Sequence, residues 1–281
     1  MLLFEPNRTP YDLSWKMFGV NVRVHPMFWL VGAIMGYSTL NLGIPYFLAW
    51  MACLFVSILI HEFGHVCAGL LFGSHGHIVL YGFGGLAIGS SNLTNRWKRI
   101  AVYFAGPFAG FLYVGVLLLI LRLIDPERAA AFVGQILRFI GIDTRYADIS
   151  IARNPTNMAI LYLILINLFY GAMNLLPVYP LDGGQISRDL FNHFMRGAGV
   201  RPSLGLSLFV AGLVAINAFA EEYGRPLPIV GSFLPGGIYI ALLFTMLAIN
   251  NYQELQQVRP PTRFDRDEPA AWERDPDYWK R

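Results

Sequence analysis

Charged residues are scarce in this 281-residue sequence. They make up 14%, against roughly a quarter of an ordinary soluble domain. With 55% hydrophobic residues and a mean hydropathy of +0.48, the shortage argues against both a soluble globular protein and a disordered chain. Cysteine is scarcer still. Cys53 and Cys67 alone exclude a disulfide scaffold and a zinc site built on CxxC pairs, and both read as small core residues. An excess of one charge is also missing: the net charge is +3 and the basic residues are scattered, so nucleic acid is not an expected partner. The N-terminus has no short apolar core followed by a small-residue cleavage site, so no cleavable signal peptide is expected. The class that remains is a multi-span membrane protein.

Residues 24–61, 63–95, 100–121, 154–181, 202–220 and 226–253 contain no Asp, Glu, Lys or Arg. A helical span needs about 20 apolar residues, and Gly43-Ile44-Pro45 breaks the first run. Six spans are therefore expected, near 26–43, 46–72, 100–122, 157–180, 203–220 and 229–250. Residues 75–90 are glycine-rich and too short to cross, and read as a β-hairpin or re-entrant loop. The outer loop 125–156 holds an amphipathic piece, Ala129 to Ile140, suited to an interface. Residues 1–250 thus form a polytopic membrane domain. Residues 251–281 carry 13 of the 39 charged residues and read as a flexible tail.

With six spans, both termini share a side. That side carries 15 Lys and Arg, against 6 on the other, so the positive-inside rule places both termini in the cytoplasm, with the plasma membrane the expected location.

Acids within such spans are costly and point to function. Only Glu62 is fully embedded, and Asp182 closes span four. Glu62 lies in His61-Glu62-Phe63-Gly64-His65. Helix positions i and i+4 share a face, so both imidazoles can reach one zinc ion. Glu62 stands beside them, placed to take a proton from a water on the metal. Catalytic zinc usually takes three protein ligands. Asp182 is the natural third, since spans two and four both run inward and bring it to a similar depth. Read without the metal motif, Asp182 is an Asp-Gly turn leaving the membrane, and the HExxH cluster is a polar tie between helices.

The sequence resembles the site-2 protease family of intramembrane zinc metalloproteases. That family pairs HExxH on one core helix with NxxPxxxLDG on another. Here these are His61–His65 and Asn174, Pro177, Leu181, Asp182 and Gly183, and the likeness spans roughly residues 20–190. Val24-His25-Pro26 and the Gly84-Gly85 loop resemble family features less specifically. The resemblance implies an all-α membrane fold with a three-helix catalytic core, spans two to four, at about residues 46–190. It implies one zinc ion held by His61, His65 and Asp182, with Glu62 activating water, and peptide-bond hydrolysis within or beside a transmembrane segment. The substrate would be a single-span membrane protein or a signal peptide in the bilayer. Many relatives carry an asparagine in span three where Gly110 stands here. A PDZ domain inserted between the motifs and a CBS domain after them are not expected.

Asn174 could donate to an oxyanion or simply satisfy buried backbone near two prolines. The 76–90 segment could hold an unwound substrate by β-augmentation. His25, His75, His77 and His193 read as packed or loop residues. Two rival functions remain: an inactive scaffold or chaperone for transmembrane helices, and a channel or transporter with a proton or metal relay. The second lacks the paired broken helices such proteins often show.

Overall fold

In the computed structural model, residues 5–82, 84–139, 154–195, 198–224 and 237–258 are described. Its axis is helix α2, Ile44–Leu71. Gly43, at φ +120°, turns the chain into it and Pro45 occupies its first turn, where a missing N–H costs nothing. Helices α3, Arg96–Ile124, and α5, Pro155–Asn174, pack on α2. Helices α7, Val200–Glu222, and α8, Ile238–Gln257, pair with each other. Among the described residues, α2, α3, α5 and α7 are long and apolar enough to cross a membrane. They correspond to expected spans two to five.

The first expected span is two pieces. Helix α1, Pro26–Met35, has ten residues, about 15 Å against a hydrocarbon thickness near 30 Å. It stops at Gly36, where a Cβ would strike the Trp50 ring, and a 3-10 turn follows over Tyr37–Leu42. For the sixth, α8 turns polar at Asn250 yet continues through Gln257, into the segment read as tail. Residues 229–236 and 259–281 lie outside the described residues, as do 140–153 of the outer loop.

The expectation of an all-helical fold with one hairpin needs correction. Strands β1, Leu13–Met17, β2, Val20–Val24, β3, His77–Tyr81, and β4, Gly84–Ile88, form one sheet in the order β1-β2-β3-β4. The expected 75–90 hairpin is β3–β4. The N-terminal hairpin joins it through parallel pairing of Val22 to Ile78 and Val24 to Leu80. Val20, Val22 and Val24 alternate as one buried face and pack with Phe28, Ile58 and Ile166.

Span four also ends early. Helix α5 stops at Asn174, because Pro177 and Pro180 cannot continue a helix. Residues 175–181 form a strap, and helix α6, Asp182–Phe194, begins at the acid. Asp182 therefore opens a separate amphipathic helix rather than closing a span. The amphipathic outer piece is helix α4, Pro126–Phe139. Its Ala129, Ala131 and Phe132 face Val114, Leu121 and Ile164 rather than open lipid.

Arg23 of β2 anchors the sheet. Its guanidinium bonds Asp12 and Glu5, both at 2.8 Å, and the Pro6 carbonyl. Burial pushes the Asp12 carboxyl up, but hydrogen bonds from Thr9 and Arg23 outweigh it and hold the group at about 2 instead of 3.8. A depressed carboxylate stabilises above its unfolded value and loses that contribution as pH falls through the folded one. Once intrinsic exchange rates are divided out, the opening of β1 and β2 amides is therefore expected to be flat above pH 4 and to rise between pH 4 and 2. Asp12→Asn should abolish that rise, which hydrogen exchange by mass spectrometry would detect.

Candidate active site

Helix α2 carries His61, Glu62 and His65 on its buried side, each no more than 5% exposed. His61 lies about 26 Å along the helix, nearer its C-terminal end. The His61 and His65 Nε2 atoms are 3.1 Å apart. The Asp182 Oδ2 is 3.1 Å from the first and 3.3 Å from the second. Among the described residues this is the one cluster of three His, Cys, Asp or Glu side chains able to hold a metal.

The His65 Nδ1 lies 2.7 Å from the Val102 carbonyl of α3. A carbonyl only accepts, so Nδ1 carries the proton and Nε2 presents a lone pair to the cluster. A metal-bound imidazole is normally held this way. Zinc ligands at 2.0–2.1 Å in a tetrahedron stand about 3.3–3.4 Å from one another. The observed triangle has nearly that edge, and its two nitrogens and one carboxylate oxygen are a donor set that zinc accepts. The residues present fit the ion.

Room for the triangle comes from α3. A Cβ at Gly106 would strike Nε2 of His65 and crowd that of His61, and one at Gly64 would strike the Ala105 carbonyl. These two glycines let α2 and α3 meet at the cluster. Next to Gly106, Pro107 lacks the N–H that would bond the Tyr103 carbonyl.

Glu62 faces the sheet. A Cβ at Gly85 of β4 would collide with its carboxyl group, and the backbone of Ala87 hydrogen-bonds the carboxylate. Sequence reasoning missed Tyr170 of α5. Its hydroxyl accepts the Gly85 N–H at 3.3 Å, and its ring meets the edge of His61 with centroids 4.8 Å apart. The available signal was position, one helical turn before Asn174. Asn174 is buried and donates through Nδ2 to the Tyr170 carbonyl at 2.9 Å. Its amide thus bonds local backbone, while its side chain lines the same cavity as Glu62 and Asp182. That cavity, of about 660 Å³, lies between β4, α5, α1 and α8.

The remaining histidines lie elsewhere. His25 Nδ1 accepts the Met27 N–H and caps α1, with its ring on Tyr81. His75 is exposed, His77 meets Glu5 at 3.4 Å, and His193 packs beside Trp97. Cys53 is buried as expected, but Cys67 is exposed, because it lies on the outward face of α2.

This architecture defines an integral membrane protein whose apolar helices enclose a HExxH-plus-aspartate cluster. Residues 49–211 match the family model described as Peptidase family M50. The chain belongs to that family, the site-2 proteases. It is 29% identical over 213 residues to the zinc metalloprotease MJ0392 of Methanocaldococcus jannaschii, covering 72% of this chain and 54% of that protein. A Synechocystis sp. protein is 28% identical over 187 residues, 62% of this chain and 42% of its own length. The chain thus spans about half the length of the curated relatives it matches. A solved site-2 protease from Methanocaldococcus jannaschii shares the fold, with a TM-score of 0.52 at 22% identity, over 90% of this chain and 99% of that one.

Gly106→Ala places a methyl group among the ligand atoms, while alanine is a better helix former than glycine. Bound metal, read by atomic absorption after dialysis, is expected to fall at least tenfold with helical circular dichroism unchanged. Wild-type metal content would contradict the close approach described here.

Proposed function

We propose that this chain is a zinc-dependent intramembrane endopeptidase that hydrolyses a peptide bond within or beside a transmembrane segment of a membrane-protein substrate. The observation that carries the proposal is the triangle of His61, His65 and Asp182 with Glu62 beside it, enclosed by charge-poor helices. His61, His65 and Asp182 would hold one zinc ion. When bound, zinc supplies Lewis acidity toward the scissile carbonyl and toward water.

The rest falls to the chain's own residues. Glu62 accepts the proton of the attacking water and returns it to the leaving amine. Tyr170 and Asn174 hold the cavity wall beside it, and Asn174 is the candidate donor to the developing oxyanion. Among the described residues β4 is an edge strand of the sheet, and its Gly85 lies against Glu62. An unwound substrate segment laid along β4 would present its backbone at the carboxylate. The substrate class is a single-span membrane protein or a signal peptide held in the bilayer. The excess of basic residues on one side supports cytoplasmic termini, and the plasma membrane is the proposed location.

The test uses protein purified in detergent and a single-span substrate in micelles. Glu62→Gln should keep its zinc and lose cleavage by a factor of about a thousand, the middle of the range for general acid–base catalysis. Asp182→Ala should lose the zinc itself. Cleavage by Glu62→Gln at the wild-type rate would remove Glu62 from the proposed role, and full zinc content in Asp182→Ala would move the third ligand elsewhere.

A further inference from the structure

The third ligand candidate is not on the helix that bears the other two. Asp182 opens α6, which packs mainly on α3 and α7 and meets α2 through Asp182 itself, so something must fix how deep α6 sits. Two turns after Asp182, on the same face of α6, stands Asp189. Its carboxylate takes a side-on, two-bond grip from Arg99 of α3: Nη2 to Oδ1 at 2.6 Å and Nε to Oδ2 at 3.0 Å. The remaining nitrogen, Nη1, donates to the Leu93 and Thr94 carbonyls at 3.0 and 3.3 Å. Arg99 therefore binds α6 to α3 and to the loop that leaves β4.

The spacing on α3 matches. Gly106, against the imidazoles, is also two turns from Arg99, and between them Val102 holds His65 through its carbonyl. The two helices run in opposite directions here, so seven residues on each, about 10 Å, separate the ion pair from the ligand atoms. One face of α3 thus fixes both His65 and, through Asp189, the height of Asp182. The neighbouring Arg188 turns away and meets Glu254 of α8 by a single contact at 3.2 Å, with both side chains about a third exposed.

We infer that Arg99 and Asp189 are positioning residues for the metal site, setting the depth at which Asp182 meets His61 and His65. This rests on the zinc reading proposed above. A bidentate guanidinium–carboxylate pair, part-buried and also bonded to two carbonyls, has the geometric definition that a single exposed contact lacks. Loss of supporting partners around a metal ligand typically weakens binding 10- to 100-fold.

The experiment loads the purified protein in detergent with Co²⁺ as the probe. It reads the dissociation constant and the visible ligand-field spectrum for the wild type, Arg99→Ala, Asp189→Ala, the double variant and Glu254→Gln. In Arg99→Ala and Asp189→Ala, Co²⁺ affinity is expected to fall at least tenfold and the tetrahedral band to shift or weaken. The double variant is expected to be no worse than either single one, and Glu254→Gln to stay within twofold of wild type. Should the alanine variants fail to fold, Arg99→Lys and Asp189→Glu keep the charges but lose the two-bond fit, and a severalfold loss is expected. Wild-type affinity and spectrum in the folded Arg99 and Asp189 variants would overturn the positioning role. So would an equal loss in Glu254→Gln. Failure of the wild type to bind Co²⁺ would instead remove the zinc reading beneath it.

Discussion

Three lone-pair atoms held 3.1 to 3.3 Å apart in a charge-poor interior are the constraint around which the described residues are arranged. With Nδ1 of His65 carrying that ring's proton, His61 Nε2 is the one ring nitrogen of the triangle that can bring a proton, so at most one strong hydrogen bond forms among the three atoms. Burying polar groups without partners costs several kcal/mol each in order of magnitude, and a cation between them removes that cost. Assembling the triangle first requires helices from distant parts of the chain to meet within a few tenths of an ångström.

Helices that contribute no ligand candidate supply much of that accuracy. Helix α3 yields space through Gly106 and holds His65 through Val102. Helices α7 and α8 act on the strap before Asp182. Ser207 Oγ accepts the Tyr179 N–H at 3.0 Å, and Asn251 Nδ2 donates to the Tyr179 carbonyl at 2.5 Å. Both polar groups of one peptide residue are thus satisfied by side chains from two different helices. Val178 is buried in the same α7–α8 cluster. Within the strap Leu176, Val178 and Leu181 donate to nearby backbone carbonyls, so Tyr179 is the point at which it is held from outside. The α7–α8 pair therefore contributes to the site although its residues are remote from His61.

What the sequence made legible followed from local rules. The i, i+4 spacing of His61 and His65, the isolation of two acids in charge-free runs, and the glycine pattern of 75–90 each have a short-range cause, and each stands in the structure. What it hid was non-local. Strands β1 and β2 are five residues each, and β2 finds β3 by parallel pairing across more than fifty residues, which no periodicity within one window reveals. Residues 26–43 have the composition of a span, but Gly36 accepts the Trp50 ring and ends the helix there. Asp182 was located as a residue and misplaced as an element, because two prolines end α5 seven residues before the charge-free run does. Arg99 and Asp189 carry no local signal in the sequence, since their pairing depends on α6 being a helix with Asp182 and Asp189 on one face.

The glycines of β4 show why the sheet belongs to the site. Gly84 leaves room for the Tyr170 hydroxyl, and Gly85 leaves room for the Glu62 carboxyl group. Any side chain on the second would displace the carboxylate from the metal-facing side of α2. The Gly85 N–H is held by the Tyr170 hydroxyl and so points away from β3, toward the free edge of β4. In an antiparallel ladder, N–H groups alternate between the two sides of a strand. The Ala87 N–H therefore faces the same way, which accords with its bond to Glu62. The outward donors of the edge strand are satisfied by the residues beside the ligand triangle. A peptide added to that edge would compete for the same donors. On the proposed reading, substrate binding and the position of the catalytic base are coupled through two backbone N–H groups.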